Sequence, residues 1–291
     1  MVPGRFLGLW LSVLTVAGCS APVVAGTDAD APRETALVVV ERTAGYSDRV
    51  RGEVVARFLR LPAHADRDQA EELLGASVAL PLAGTCAMVS GRSPSAAGTT
   101  AAVELRHVGA VVVEVSGAKI PLKVRRLPDL LDSVSGVFYA SAADSEPFPA
   151  KASYTLSLGD GVSAEVRISA VAPEELTGLR VDGMESLQRV ELRVDTGVVL
   201  EWNAGGADDW VYVDVTTERA GATFRCAFAD SAGRGLVPSS AFAAMDQGRG
   251  EDGVRGLMTV HRLRRVPVGA GTFDDGEVRF DFARTVTFTR Q

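Results

Sequence analysis

The run Glu277-Val278-Arg279-Phe280-Asp281-Phe282-Ala283-Arg284-Thr285-Val286-Thr287-Phe288-Thr289 alternates polar and apolar side chains. Successive side chains of a strand point to opposite faces, so Val278, Phe280 and Phe282 fall on one side and Glu277, Arg279 and Asp281 on the other. This predicts a strand with one buried face and one wet face, as in an antiparallel sheet packed on a core. Toward the N-terminus, strand-like runs recur at Leu257–Arg264, Ala222–Phe228, Trp210–Thr216, Val198–Trp202 and Arg189–Val194. Earlier still they recur at Ser163–Val171, Ala152–Leu158, Val137–Ala140, Ala110–Val115, Ala101–His107, Thr85–Val89, Glu53–Leu61 and Leu37–Val40. Valine dominates several of these, and its branched Cβ suits a pleated surface better than a helix. Gly159-Asp160-Gly161 supplies the positive φ of a hairpin between two of them.

Helix signals are few. Asp66–Leu74 has a capping Asp66, an apolar face of Ala70, Leu73 and Leu74, and a terminating Gly75. A short helix or turn is expected at Leu127–Asp132. Ala172–Asp182 reads as an exposed join, because Pro173 interrupts strand pairing and Gly178 lies among charges. The expected class is all-β: two antiparallel β-sandwich domains of immunoglobulin-like kind in tandem, residues 35–173 and 180–291.

The chain begins with an export pattern. Arg5 precedes the apolar run Phe6–Ala17, which is too short to span a bilayer permanently and ends in small residues. Val16-Ala17-Gly18-Cys19 resembles the bacterial lipobox, which implies a signal peptide over residues 1–18 and acylation of the Cys19 thiol. Ser20, where retained inner-membrane lipoproteins usually carry aspartate, favours the outer membrane. Residues 19–34 then form a lipidated tether, small, proline-containing and acidic without periodicity. After residue 34 the chain is long enough for two cores of ordinary size.

With 37 Asp and Glu against 30 Lys and Arg, the chain has a net charge of −7 and no electrostatic footprint for nucleic acid or anionic lipid. Its lysines are Lys119, Lys123 and Lys151, and the bias to arginine, alongside abundant Ala, Val and Gly, reads as the product of a GC-rich genome. Besides Cys19 there are Cys86 and Cys226, far apart in sequence. They are read as buried free thiols in different domains; the alternative is a disulfide, which an exported compartment permits if the Cα atoms lie within about 7 Å.

Several features resemble a group of uncharacterised Gram-negative surface lipoproteins with two consecutive β-sandwich modules. In the first module they are Gly84-Thr85-Cys86, the valine strand from Gly109 to Gly117, Tyr139 and Ala172-Pro173. In the second they are Leu200-Glu201-Trp202, Val211 to Val215, Cys226-Ala227-Phe228-Ala229-Asp230, Gly233 and Pro238. The resemblance implies fold and location and transfers no catalytic residue.

No convergent catalytic set is visible. His64, His107 and His261 are isolated and lack the clustering of a zinc site, and no G-x-S-x-G elbow occurs. Ser116-Gly117-Ala118-Lys119 fits the S-x-x-K signature, but that chemistry needs a helix start and here the motif straddles a strand end and a glycine turn. Asp208-Asp209, Glu251-Asp252 and Asp274-Asp275-Gly276 lack the ligand spacing of a calcium loop and read as turn residues. Trp202, Trp210 and Tyr212 are either core anchors or a stacking platform for sugar, and alternation puts Trp210 and Tyr212 on one face of one strand. The expected function is a lipid-anchored, non-catalytic binding or structural module of the cell envelope, needing no cofactor or metal and engaging the membrane through Cys19. Its further partner is an envelope protein or glycan. Two alternatives are a carbohydrate-binding protein using those aromatics and a hydrolase whose site is assembled from distant residues.

Overall fold

The computed structural model describes residues 31–45, 50–63, 65–89, 103–127, 134–142, 148–159, 166–185, 189–217, 223–245, 255–269 and 273–290. Cys19, His64, Asp160-Gly161, Glu251-Asp252 and nearly all of the Leu127–Asp132 turn lie outside them. The described elements are, in order, β1 (Arg33–Ala44), β2 (Val50–Leu61), α1 (Arg67–Leu73), β3 (Thr85–Val89), β4 (Val103–Leu105), β5 (Ala110–Val115), β6 (Ala118–Pro121), β7 (Lys123–Arg126) and β8 (Val134–Ala140). They continue with β9 (Ser153–Gly159), β10 (Val166–Val171), β11 (Arg180–Val181), β12 (Arg189–Leu192), β13 (Val198–Glu201), β14 (Trp210–Thr217) and β15 (Thr223–Ala229). A 3₁₀ turn (Asp230–Ala232), β16 (Arg234–Val237), α2 (Ser239–Met245), β17 (Arg255–Pro267) and β18 (Asp275–Arg290) complete the set.

The fold is all-β in class. One 11-stranded sheet runs β3-β15-β14-β17-β18-β1-β2-β4-β8-β7, with β12 also beside β18. Two small sheets, β10-β9-β5-β6 and β11-β13-β16, accompany it. The 277–289 run lies within β18, whose 16 residues pair antiparallel with β17 and parallel with β1, Thr35 facing Asp275 and Ala44 facing Arg284. Further along, β12 takes β1's place in parallel pairing, Arg189 facing Thr287.

Alternation in β18 feeds two cores. Val278, Phe280 and Phe282 join Ala36, Val38 and Val40 of β1 and Val111, Val113, Tyr154, Leu156 and Ile168 of the four-stranded sheet. Val286 and Phe288 join Val181, Val198, Leu200, Trp202, Val237 and Phe242 around the three-stranded sheet. Each fully buried side chain of this size stabilises by roughly 1.5–3 kcal/mol before entropy is counted.

The division expected between tandem modules near residues 173–180 is bridged by strand pairing: β1 joins β18, and β3 joins β15. The join is also less exposed than its composition suggests, since Ala172, Leu176 and Leu179 are buried. Between the cores β17 turns from apolar to charged on the same face. Arg262, 1% exposed, lies 2.8 Å from Asp230 and donates to the carbonyls of Asn203 and Glu175 at 2.6 and 2.7 Å. Two residues on, Arg264 forks onto Asp209 at 2.7 Å through both of its contacts. Arg42 of β1 pairs with Glu175 in the same belt. These guanidinium groups tie the join to the shared sheet, Arg262 through the carbonyls of Glu174 and Glu175 and Arg264 through those of Val171 and Ala172.

Elsewhere the helix forms as its sequence predicts. Asp66 accepts from the Asp68 amide at 3.0 Å, Ala70 packs with Leu59 and Leu61, and Gly75 at φ +62° ends the turn. Ser116 and Gly117, at φ 50° and 81°, form the two-residue turn between β5 and β6, so the S-x-x-K residues sit on a hairpin and not on a helix. Among the described residues no helix is long and apolar enough to cross a membrane.

Phe280→Ala and Phe288→Ala each remove a ring from a different core and should cost about 3–5 kcal/mol in urea unfolding. Because both rings hang on one strand, each variant should shift a single cooperative transition. Two separable transitions, with each variant moving only one, would show instead that the halves fold independently.

Candidate functional site

The face of the large sheet opposite the two cores carries the polar residues of β14, β17 and β18. Sequence alternation predicts Arg279 and Asp281 to be wet, yet Arg279 is 1% exposed. The reason is a cover: α1 and the segment 76–83 lie across this part of the sheet. Arg279 pairs with Glu277 through Nε at 2.7 Å and with Glu71 of α1 through Nη2 at 2.8 Å, and its Nη1 donates to the Ala76 carbonyl at 2.5 Å. Arg265 of β17 donates to the Val78 carbonyl at 2.5 Å, and Arg225 of β15 to that of Ala79 at 3.2 Å. Val78 and Leu80 pack beneath, against Tyr212, Ala227, Leu263 and Trp210.

A cleft of about 820 Å³ opens between this strap and α1. Its sheet wall is Trp210 and Arg265, its helix wall includes Asp68, Gln69 and Glu72, and its rim is residues 77–83. Trp210 is half-buried and on the outer face, so its indole borders the opening. The volume and the mixture of one aromatic with a few polar groups fit a small-ligand site.

Deeper in the same face is a closed polar group. Tyr212 stacks on His261 with centroids 4.1 Å apart, and its hydroxyl donates to Asp281 Oδ2 at 2.5 Å. His261 Nδ1 lies 2.8 Å from Asp281 Oδ1. Arg225 forks onto Asp214 at 2.7 Å and sits 4.8 Å from the centre of the Tyr212 ring. Burial pushes the Asp281 carboxyl up, but His261, the Tyr212 hydroxyl and Arg225 outweigh it and hold the group below its ordinary range. Burial, then the Asp281 charge, raise the Tyr212 phenol well above its ordinary value. Both oxygens of Asp281 are thus occupied, and the lining of the cleft includes no histidine, so the His–Asp pair does not face the open space.

The aromatic candidates separate. Trp202 is a core residue whose Nε1 donates to the Asp230 carbonyl at 2.9 Å, with Phe228 at 6.0 Å. Tyr212 shares the outer face with Trp210 but is sealed under the strap, leaving Trp210 alone at the cleft. Cys86 and Cys226 face each other in the β3–β15 register and form a disulfide with Cα atoms 4.0 Å apart. Reading them as free thiols failed because β3 leaves its neighbours in sequence to join the far edge of the shared sheet, beside β15. Asp209 is a buried partner of Arg264, and Asp274 accepts from the Glu34 amide at 2.8 Å. Among the described residues no group of three or more His, Cys, Asp or Glu side chains is placed to hold a metal ion. His261 and Asp281 escape sequence reading because they lie on different strands and meet only through the β17–β18 register.

No protein-family model matches the chain, and no curated protein matches it by sequence.

Asp281→Asn should cost about 1–3 kcal/mol at pH 7, as charge-assisted bonds to His261 and Tyr212 are lost. A carboxyl held below its unfolded pKa contributes stability above about pH 4 that vanishes as pH falls through the lowered value. Denaturant titrations should therefore show the native chain and the variant converging on acidification. Parallel curves would mean that Asp281 titrates alike in both states.

Proposed function

We propose that the chain is a cell-envelope lipoprotein, acylated on Cys19 and held at the outer membrane, whose folded body is a non-catalytic saccharide-binding module. In fold terms it is two sandwich-like halves, the two modules of the sequence reading, fused through their common sheet. One observation carries the saccharide reading: Trp210, on the sheet face turned away from both cores, borders the cleft opposite Asp68, Gln69 and Glu72. An indole offers its face to the C–H side of a sugar ring, and carboxylate and amide oxygens accept from its hydroxyls. The lipobox resemblance and the export pattern support the location.

Glycan-array screening should find a saccharide that the chain retains, and Trp210→Ala should weaken that binding by about 2 kcal/mol, roughly 30-fold, with the circular dichroism spectrum unchanged. Retention unaffected by Trp210→Ala would remove the cleft from the reading. Intact-mass measurement of protein from its native host should find Cys19 as an acylated N-terminus; an unprocessed chain would remove the anchor.

A further inference from the structure

Between Leu73, where α1 ends, and Thr85, where β3 begins, the chain forms no strand, and its one backbone-to-backbone bond to the sheet among the described residues is from the Gly84 amide to the Ala227 carbonyl of β15. It nevertheless forms the rim of the cleft and the lid over Tyr212 and Leu263. Its N-terminal end is secured by the buried Arg279–Glu71 pair. Its middle is held from the sheet by the side chains of Arg265 and Arg225, each donating to a carbonyl. Its C-terminal end depends on β3, an edge strand of five residues whose single strand neighbour among the described residues is β15. Thr85, Ala87 and Met88 of that strand are exposed, so β3 gains little from burial. Beyond its ladder, β3 is held by the Gly84 amide on the Ala227 carbonyl at 2.7 Å, by Cys86 packing against the second core, and covalently by the Cys86–Cys226 bond.

The cores have other holds. Cys226 is a member of the second core, but β15 also pairs with β14 from Trp210–Ala229 to Thr216–Thr223, and β14 pairs in turn with β17. Loss of the sulfur–sulfur bond therefore removes a covalent support from β3 and the strap, while the strands that build both cores keep their ladders.

We propose that Cys86–Cys226 is a redox clasp: the strap closes over the sheet and shapes the Trp210 cleft while the two sulfurs are bonded, and is released when a dithiol reduces them. In that step a thiolate of the reductant attacks one sulfur to give a mixed disulfide, and its second thiol displaces the protein sulfur. Two electrons and two protons pass to the protein, leaving two cysteine thiols, and the reductant ends as a disulfide. The consequence for ligand rests on the saccharide reading; the clasp itself does not.

The test uses the full chain in three forms: oxidised, treated with dithiothreitol, and as the double variant Cys86→Ser with Cys226→Ser. Amide hydrogen exchange in residues 76–89 should accelerate at least tenfold on reduction and in the double variant, with β17 and β18 unchanged. Unchanged exchange in 76–89 would overturn the clasp, as would equal acceleration through β17 and β18, because the bond would then hold the whole fold. If a saccharide retained by the oxidised chain is retained equally after reduction, the cleft does not depend on the clasp and that part of the proposal falls. If the oxidised chain retains no saccharide, the saccharide reading falls, and exchange still decides the clasp.

Discussion

The parallel pairing of β1 with β18 is the contact on which the rest of the structure depends. It brings residues 35–44 beside residues 275–284, closing most of the chain into one loop. Parallel strands cannot be joined by a tight turn, so everything between them is the crossover. That crossover contains both small sheets, and the long strand it closes on is buried twice, once in each core. Thr35–Val40 of β1 is buried at every position, as expected of a strand covered on both faces. A strand shared in this way couples the two halves, because loosening β18 at Phe280 disturbs the ladder that presents Phe288.

Sharing creates an electrostatic demand. Two apolar cores under one sheet leave a seam where the join between the halves must cross, and its backbone carbonyls need donors. Arg262, Arg264 and Arg42 fill the seam, and their charges are met by Asp230, Asp209 and Glu175. On the opposite face Arg279, Arg265 and Arg225 perform the same task for the strap. A planar guanidinium can bind a carboxylate and still donate to a carbonyl, which an ammonium does with less geometric control. The arginine bias that reads as base composition is therefore put to structural use here, and a buried arginine stripped of its partner would cost several kcal/mol.

Local pattern was legible where one face of a strand or helix meets a core. β5 and β3 coincide with the valine run Ala110–Val115 and with Thr85–Val89, and α1 starts and stops at its capping Asp66 and Gly75. Lys123–Arg126 carries no such signal, because all four residues of β7 are exposed at a sheet edge, where charge discourages further pairing. Partner choice was not legible either. Backbone hydrogen bonds do not depend on side-chain identity, so nothing in Thr85–Val89 announces β15, and with that pairing hidden the Cys86–Cys226 disulfide was only the second reading of the two cysteines. The same blindness explains the supposedly wet face of β18. Alternation separates its two faces correctly but is silent about a helix and a strap arriving from residues 66–83 to cover one of them.

The candidate site follows from that cover. An open sheet face is flat, and a flat array of side chains seldom encloses a ligand. Laying α1 and the strap across β14, β17 and β18 changes the outer surface from a plane into a wall with a floor, and at Trp210, where the cover stops, an aromatic side chain of β14 borders that cleft. Two residues along the same strand, Tyr212 has the same orientation but is sealed beneath Val78 and Leu80 and locked to Asp281. Identical alternation thus yields an accessible ring and an inaccessible one. The strap, reaching the sheet through arginine side chains and fixed at its far end by a disulfide, decides which is which.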